Sequence, residues 1–361
     1  MNRTLLVLWT AALCLCVAGA PAGDTKPAES GTVILDTFSY WRVHITLRPV
    51  PFGTSEKAEP HEKGMVAANS YSRGSTVPPD RPKTPLPPDG WMNPEFDDAR
   101  WWRDPGPYWG GKDRGVYGIA RPHNNRWGAW QASTIALMCM RGKFQVTDPA
   151  QVKSLKLAMN YRGGMVIYLN GKEVKRLHMR DGDIDMLTLA EDYPVEATTK
   201  DGKLHDAWHV SPKELIDLRV RGAKDVEIPV EHLKKGVNVL AIEVHRAALP
   251  VEMFKLSRRA AHARSGLCWN TVGLMDFSMT AQGSGIVSNT GRPKGLQVWN
   301  ANTLESVYTT DYGDPNETLK PIRIVGARNG SFTGQVILGS TEPIRGLKAE
   351  VSDLATKDGT G

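Results

Sequence analysis

Residues 154–179, SLKLAMNYRGGMVIYLNGKEVKRLHM, decide the fold. Leu155, Leu157, Met159 and Tyr161 alternate with more polar neighbours, the two-residue period of a strand with one buried face. Gly163-Gly164 interrupts the pattern, and a second apolar run, Met165 to Leu169, ends at Asn170-Gly171. Asn-Gly between strand-like runs marks a tight hairpin, because a type I′ turn needs positive φ at both central residues. Lys172 to Met179 is then the return strand. The stretch reads as a meander of three antiparallel strands near the centre of a β-sandwich.

The flanking chain supplies more strands. From Val33 to Val50, the residues Trp41, Val43, Ile45 and Leu47 share one face. Ala132 to Val146 and Val226 to Val230 are also strand-like. In Val237 to His245, Leu240, Ile242 and Val244 point one way, and Val239, Ala241, Glu243 and His245 the other. Cys268 to Ala281 is expected to close the sandwich. Residues 51–90 break the pattern with many prolines, which favour extended backbone without ladder bonds, so they read as a long surface excursion. Residues 91–130 are dense in aromatics, and Asp97 and Asp98 read as turn residues. Ser211 is placed to cap a short helix from Pro212 to Leu218.

Three segments carry a resemblance. VIYLNGKEV (166–174) resembles the V-Y-x-N-G-K-x-V hairpin of galactose-binding-like jelly rolls, as found at the front of family 2 glycoside hydrolases. WMNPEFDDARW (91–101) resembles the W…x-F-D-D-S-x-W segment that opens such domains. VEIPVEHLKKGVNVLAIEVHR (226–246) resembles a late strand of theirs. The resemblance implies an all-β, galactose-binding-like β-sandwich (jelly roll) over 23–281, and says little about ligand, because the fold hosts many functions. Residues 282–318 then read as a linker. PIRIVGARNGSFTGQVILGSTEPIRGLKAEVSDL (321–354) resembles the opening of the β-sandwich that precedes the catalytic barrel in family 123 glycoside hydrolases. That implies an incomplete second β-sandwich segment at 319–361. It also implies a truncation before any barrel and, for the parent protein, an N-acetylhexosaminidase type of reaction. The expected strands there are Ile322 to Val325, Thr333 to Leu338 and Leu347 to Val351.

Composition narrows the function classes. The chain has 361 residues and a formal charge of +6, with basic residues scattered among acids, which argues against nucleic acid as a partner. Arg3, an apolar run from Leu5 to Val17 and small residues near Ala22 read as a signal peptide over 1–22, too short for a membrane span. The expected location is secreted, periplasmic or at the cell surface. That leaves Cys139 and Cys268, read as buried thiols with a disulfide as the alternative.

No residue pattern points to catalysis. Glycosidases need two carboxyl groups at a set separation, and no acid here stands in such a motif. Gly-rich phosphate loops and nucleophile elbows are missing too. Asp181-Gly182-Asp183-Ile184-Asp185 spaces carboxylates as calcium loops do, yet lacks the rest of that ligand set; a solvated acidic turn is the reading, with structural calcium the alternative. His205 and His209 have zinc-pair spacing without a third ligand and read as surface histidines. No cofactor is expected.

The aromatic-rich loops carry the one positive idea. Sugar rings present C–H faces that pack on Trp or Tyr, while their hydroxyls bond to polar side chains. Trp91, Trp101 and Trp130 are expected to pack the sandwich. Trp102, Trp109 and Trp127, assisted by Arg176 or His245, form the candidate carbohydrate-binding set. The expected partners are a glycan or polysaccharide and the neighbouring domains of a longer chain. The alternative is a structural or cell-surface module that binds no sugar.

Overall fold

A computed structural model describes residues 31–60, 83–108, 135–204, 213–251, 271–301, 303, 307–322, 324–327 and 330–350. The alternation in residues 154–162 is realised as a strand with Leu155, Leu157, Met159 and Tyr161 all buried. In chain order the main strands are β1 (Thr32–Asp36), β2 (Tyr40–Leu47), β3 (Trp102–Pro105), β4 (Ile135–Val146), β5 (Val152–Arg162), β6 (Gly164–Leu169) and β7 (Lys172–Leu177). Then follow helix α1 (Lys213–Leu218), β8 (Arg221–Ile228), β9 (Gly236–His245), β10 (Gly273–Gly283), β11 (Leu296–Ala301) and β12 (Gln335–Ser340).

Two antiparallel sheets make the sandwich. One is ordered β1-β10-β5-β8. The other is ordered β3-β2-β4-β9-β6-β7, and the short segment Ile286–Val287 also pairs with β4. Between them lies one apolar core. It includes Leu155, Leu157, Met159 and Phe277 from the first sheet, and Trp41, Met140, Phe144, Ile167 and Ile242 from the second. The expected all-β sandwich is therefore the observed architecture.

The expected meander is corrected. β5 and β6 are consecutive in sequence but lie in different sheets. Gly163 carries the chain across with φ +89°, and a Cβ there would sit 2.0 Å from the carbonyl oxygen of His245. Only glycine fits such a crossing without strain. The Asn-Gly turn is as expected: Asn170 has φ 53° and Gly171 φ 84°, joining β6 to β7. The Asn170 side chain donates to the His232 carbonyl and to Asn238 Oδ1, and accepts from the Val239 N–H.

The Pro-rich excursion is tied down at both described ends. Val50 and Phe52 are buried, and the Thr84 hydroxyl accepts from the Leu47 N–H at the end of β2. Residues 61–82 lie outside the described residues. So do the proposed signal peptide, Trp109, Trp127, Trp130, His205, His209, Ser211, Pro212 and Cys268.

Beyond β10 the expected strands are partly reassigned. β12 covers part of Thr333 to Leu338, but its partner β11 falls in the stretch read as a linker. In LQVWNA the strand residues are apolar on both sides of the ribbon, so the two-residue period gives no sign of a strand there. The described residues of 322–325 and 347–350 are not in strands. One face of the β11–β12 ribbon, with Leu296, Val298, Val336 and Leu338, is exposed.

Candidate functional site

The sheet that contains β2 has a second, outward face, and its chemistry differs from the core. Antiparallel register places Arg42 of β2 opposite both Arg103 of β3 and Arg141 of β4. Three arginines side by side repel one another, and like charges directly opposed destabilise a sheet. The chain answers with two carboxylates from elsewhere. Asp98 accepts from Arg141 Nε at 2.7 Å and Lys143 Nζ at 2.8 Å. Glu317 accepts from Arg42 Nη2 at 2.6 Å and Lys143 Nζ at 2.9 Å, with Arg103 Nε 3.8 Å away.

These pairs staple two loops onto the sheet. Burial works against the Glu317 charge, but Arg42, Lys143 and Arg103 outweigh it and hold its carboxyl well below the usual range. Asp314 goes the other way, raised by burial and by the nearby Glu317. Asp98 is a turn residue as expected, its carbonyl accepting from the Trp101 N–H, but its carboxylate is buried against Arg141 and does not bond the turn. Asp97 does cap the turn, accepting from the Ala99 N–H, and also pairs with Lys320.

Where the strap 311–320 and the β11–β12 ribbon approach β2 and β3, they enclose a cleft of about 550 Å³. A second hollow of about 280 Å³ shares Arg42, Trp299 and Asn300 with it. The buried Tyr40 and Trp101 and the half-buried Trp299 line the main cleft, together with Arg100, Asp104, Asn300 and Asp311. Trp299 lies against Gly313 and Gly339, where added Cβ atoms would come within 3.3 Å and 3.0 Å of its ring. The Tyr40 hydroxyl donates to Asp311 at 2.9 Å, and the Arg103 guanidinium lies 3.8 Å from the centre of the Tyr40 ring. Asp311 also accepts from the Tyr308 N–H, so this carboxylate is engaged in holding the strap.

Of the expected site residues, Trp109 and Trp127 lie outside the described residues, and the other three, Trp102, Arg176 and His245, are not brought together. Trp102 is 38% exposed on β3 at one edge of the sheet. Arg176 is on β7 at the opposite edge, forked onto Glu173. Five strand spacings separate those edges, about 24 Å. His245 reaches no rim: it is fully buried on β9, with Nε2 3.0 Å from Glu243 and Nδ1 2.9 Å from the Thr188 carbonyl. Packing around Trp91 and Trp101 covers the outward face beside it. Trp91 and Trp101 are buried as expected. In the acidic turn, Asp185 caps the Leu187 N–H and the Thr188 hydroxyl.

Sequence reasoning missed Tyr40, Arg42, Trp299 and Glu317. The polar side of the Trp41/Val43 alternation was a signal for Arg42. Nothing local marks Glu317, 275 residues away from it.

No protein-family model and no curated protein matches the sequence. Among solved structures, a beta-glucuronidase from an uncultured Clostridium sp. is similar at 13% identity and TM-score 0.27, over 61% of this chain and 23% of that one. A Bacteroides uniformis beta-glucuronidase is similar at 16% identity and TM-score 0.28, over 60% and 19%. A Bifidobacterium dentium beta-glucuronidase complexed with coumarin-3-O-glucuronide is similar at 9% and 0.29, over 77% and 32%. The likeness is distant and one of fold only, and the chain spans about a fifth to a third of those proteins.

Proposed function

We propose that this chain is a non-catalytic accessory β-sandwich region of a longer secreted protein, and that the cleft at β3 and β11 holds carbohydrate. The observation that carries the reading is the cleft itself. The half-buried Trp299 stands beside Arg100, Asp104, Asn300 and Asp311 around a volume of about 550 Å³, with the buried Tyr40 and Trp101 in its wall. That mixture suits a ligand with apolar faces and many hydroxyls, and the volume is in the usual range of small-molecule sites. The reading includes the signal peptide at 1–22, export from the cytoplasm and a second sandwich beginning within 319–361.

The test is titration of the full chain with galactose, N-acetylgalactosamine and polysaccharide fragments, followed by tryptophan fluorescence. A saturable change is expected, lost in Trp299→Ala and in Asn300→Ala. A silent titration in folded protein overturns the reading.

A second reading, a module that orients its neighbours and binds no sugar, is favoured by the Glu317 network, which fastens the strap to the sheet. It predicts that Trp299→Ala changes stability alone.

A further inference from the structure

β2 and β9 both flank β4 and both leave the sheet at the end where β4 begins. The first residue beyond β2 is Arg48, and the first beyond β9 is Arg246. Arg246 is 7% exposed. Its Nη1 donates to the Arg48 carbonyl at 3.1 Å, and its Nε is buried with no acceptor among the described residues. Arg48 is half-buried and spends Nη1 on the carbonyls of Leu47 and Thr84, at 2.7 and 2.6 Å.

Among the described residues, neither arginine has a carboxylate partner. The charged group that acts on Arg246 is Arg48, and burial together with that repulsion presses its pKa down to about 9. A guanidinium does not give up its proton at neutral pH, so two like charges stand together here. The contrast lies within the same sheet, where Arg141 has Asp98 and Arg42 has Glu317. Buried charge is ordinarily paired, and one left alone costs heavily in desolvation.

We propose that Arg48 and Arg246 form a binding site for a small oxyanion, a phosphate, sulfate or carboxylate group, which supplies the missing negative charge. Guanidinium forks match the paired oxygens of all three groups. Both arginines follow directly on strand ends, and hydrogen bonds to the carbonyls of Leu47 and Thr84, for Arg48, and of Arg48, for Arg246, position them. The site is independent of the carbohydrate cleft, which lies by β3 and draws on neither residue.

The experiment is thermal unfolding of the full chain at constant ionic strength, with chloride replaced stepwise by inorganic phosphate, inorganic sulfate or acetate at millimolar levels. At least one anion should raise Tm along a saturating curve, by roughly 5 °C at a hundredfold excess over Kd. The anion that saturates first identifies the preferred group. Arg48→Met and Arg246→Met should each abolish the shift, and Arg246→Lys, which keeps charge without the fork, should weaken it. If Arg246→Met does not fold, Arg48→Met carries the test, since Arg48 is only half-buried. A shift that is absent, or one that rises linearly without saturating and persists in Arg48→Met, is a general salt effect and overturns the proposal.

Discussion

On β2, Trp41 and Val43 point between the two sheets, whereas Arg42 and His44 point to the outward face of the same strand. Both faces are substantially covered, by different means. The inner face needs only a second sheet of matching period, and burial of apolar area drives its assembly. The outward face is a ladder of cations, Arg103, Arg42, Arg141 and Lys143, that cannot be buried until Asp98 and Glu317 arrive. One face can collapse on general grounds. The other depends on two particular carboxylates from distant parts of the chain.

Substitutions on the two faces should therefore behave differently. The largest effect is expected inside: Phe144→Ala removes a fully buried ring and should cost about 3–5 kcal/mol in urea unfolding, with the transition shifted as a whole. A loss under 1 kcal/mol would show that the inner face is loosely packed. Next, Asp98→Asn leaves Arg141 buried without its counter-charge and should cost about 3 kcal/mol. Asp98→Asn combined with Arg141→Met should recover much of that, which a simple packing defect would not allow.

Glu317→Gln should cost about 2 kcal/mol, less than Asp98 because the pair is closer to solvent. It should also speed proteolytic cleavage near the strap without loosening the sandwich. Its pH dependence follows from the lowered carboxyl. The Glu317 contribution is complete above the unfolded-state value of about 4.3 and fades as pH falls toward the depressed folded value. The stability gap between wild type and Glu317→Gln should thus narrow below about pH 4. Asp314, with its raised carboxyl, has the opposite sign and softens the acid limb of the wild type. A gap that stays constant down to pH 3 would mean that Glu317 acts through shape and not charge.

The smallest effect belongs to Arg176→Ala. Its pair with Glu173 is on an exposed edge strand and should be worth under about 0.5 kcal/mol, with no effect on carbohydrate retention.

The same contrast separates what sequence makes legible from what it hides. Leu155 to Tyr161 and Leu240 to Val244 announce their faces by period, and Asn170-Gly171 announces its turn by chemistry, because these signals are local. The crossing at Gly163 looks like an ordinary turn signal, since Gly-Gly does not say whether the next strand stays in the sheet. Asp98 looks like its neighbour Asp97, and only the tertiary position of Arg141 tells them apart. The same holds for Trp102, Arg176 and His245: residue type marks them as candidates, whereas convergence depends on strand order, which puts two on opposite edges and buries the third. Trp299 was hidden because the strand that carries it pairs with residues 335–340, far along the chain.

The turn at Asn170-Gly171 has a consequence for how the molecule ages. Asn-Gly is the dipeptide most open to deamidation, because the glycine nitrogen can swing onto the asparagine carboxamide carbon and close a succinimide ring. Here the carboxamide is held from both ends: its nitrogen donates to His232 and Asn238, and its oxygen accepts from Val239. Gly171 is pressed against Asn93, whose Oδ1 would lie 2.1 Å from an added Cβ. Ring closure would require those bonds to break and the turn to unwind. The rate of this chemical damage is therefore set by local unfolding, and the hairpin tip becomes a slow clock that runs only while β6 and β7 are open.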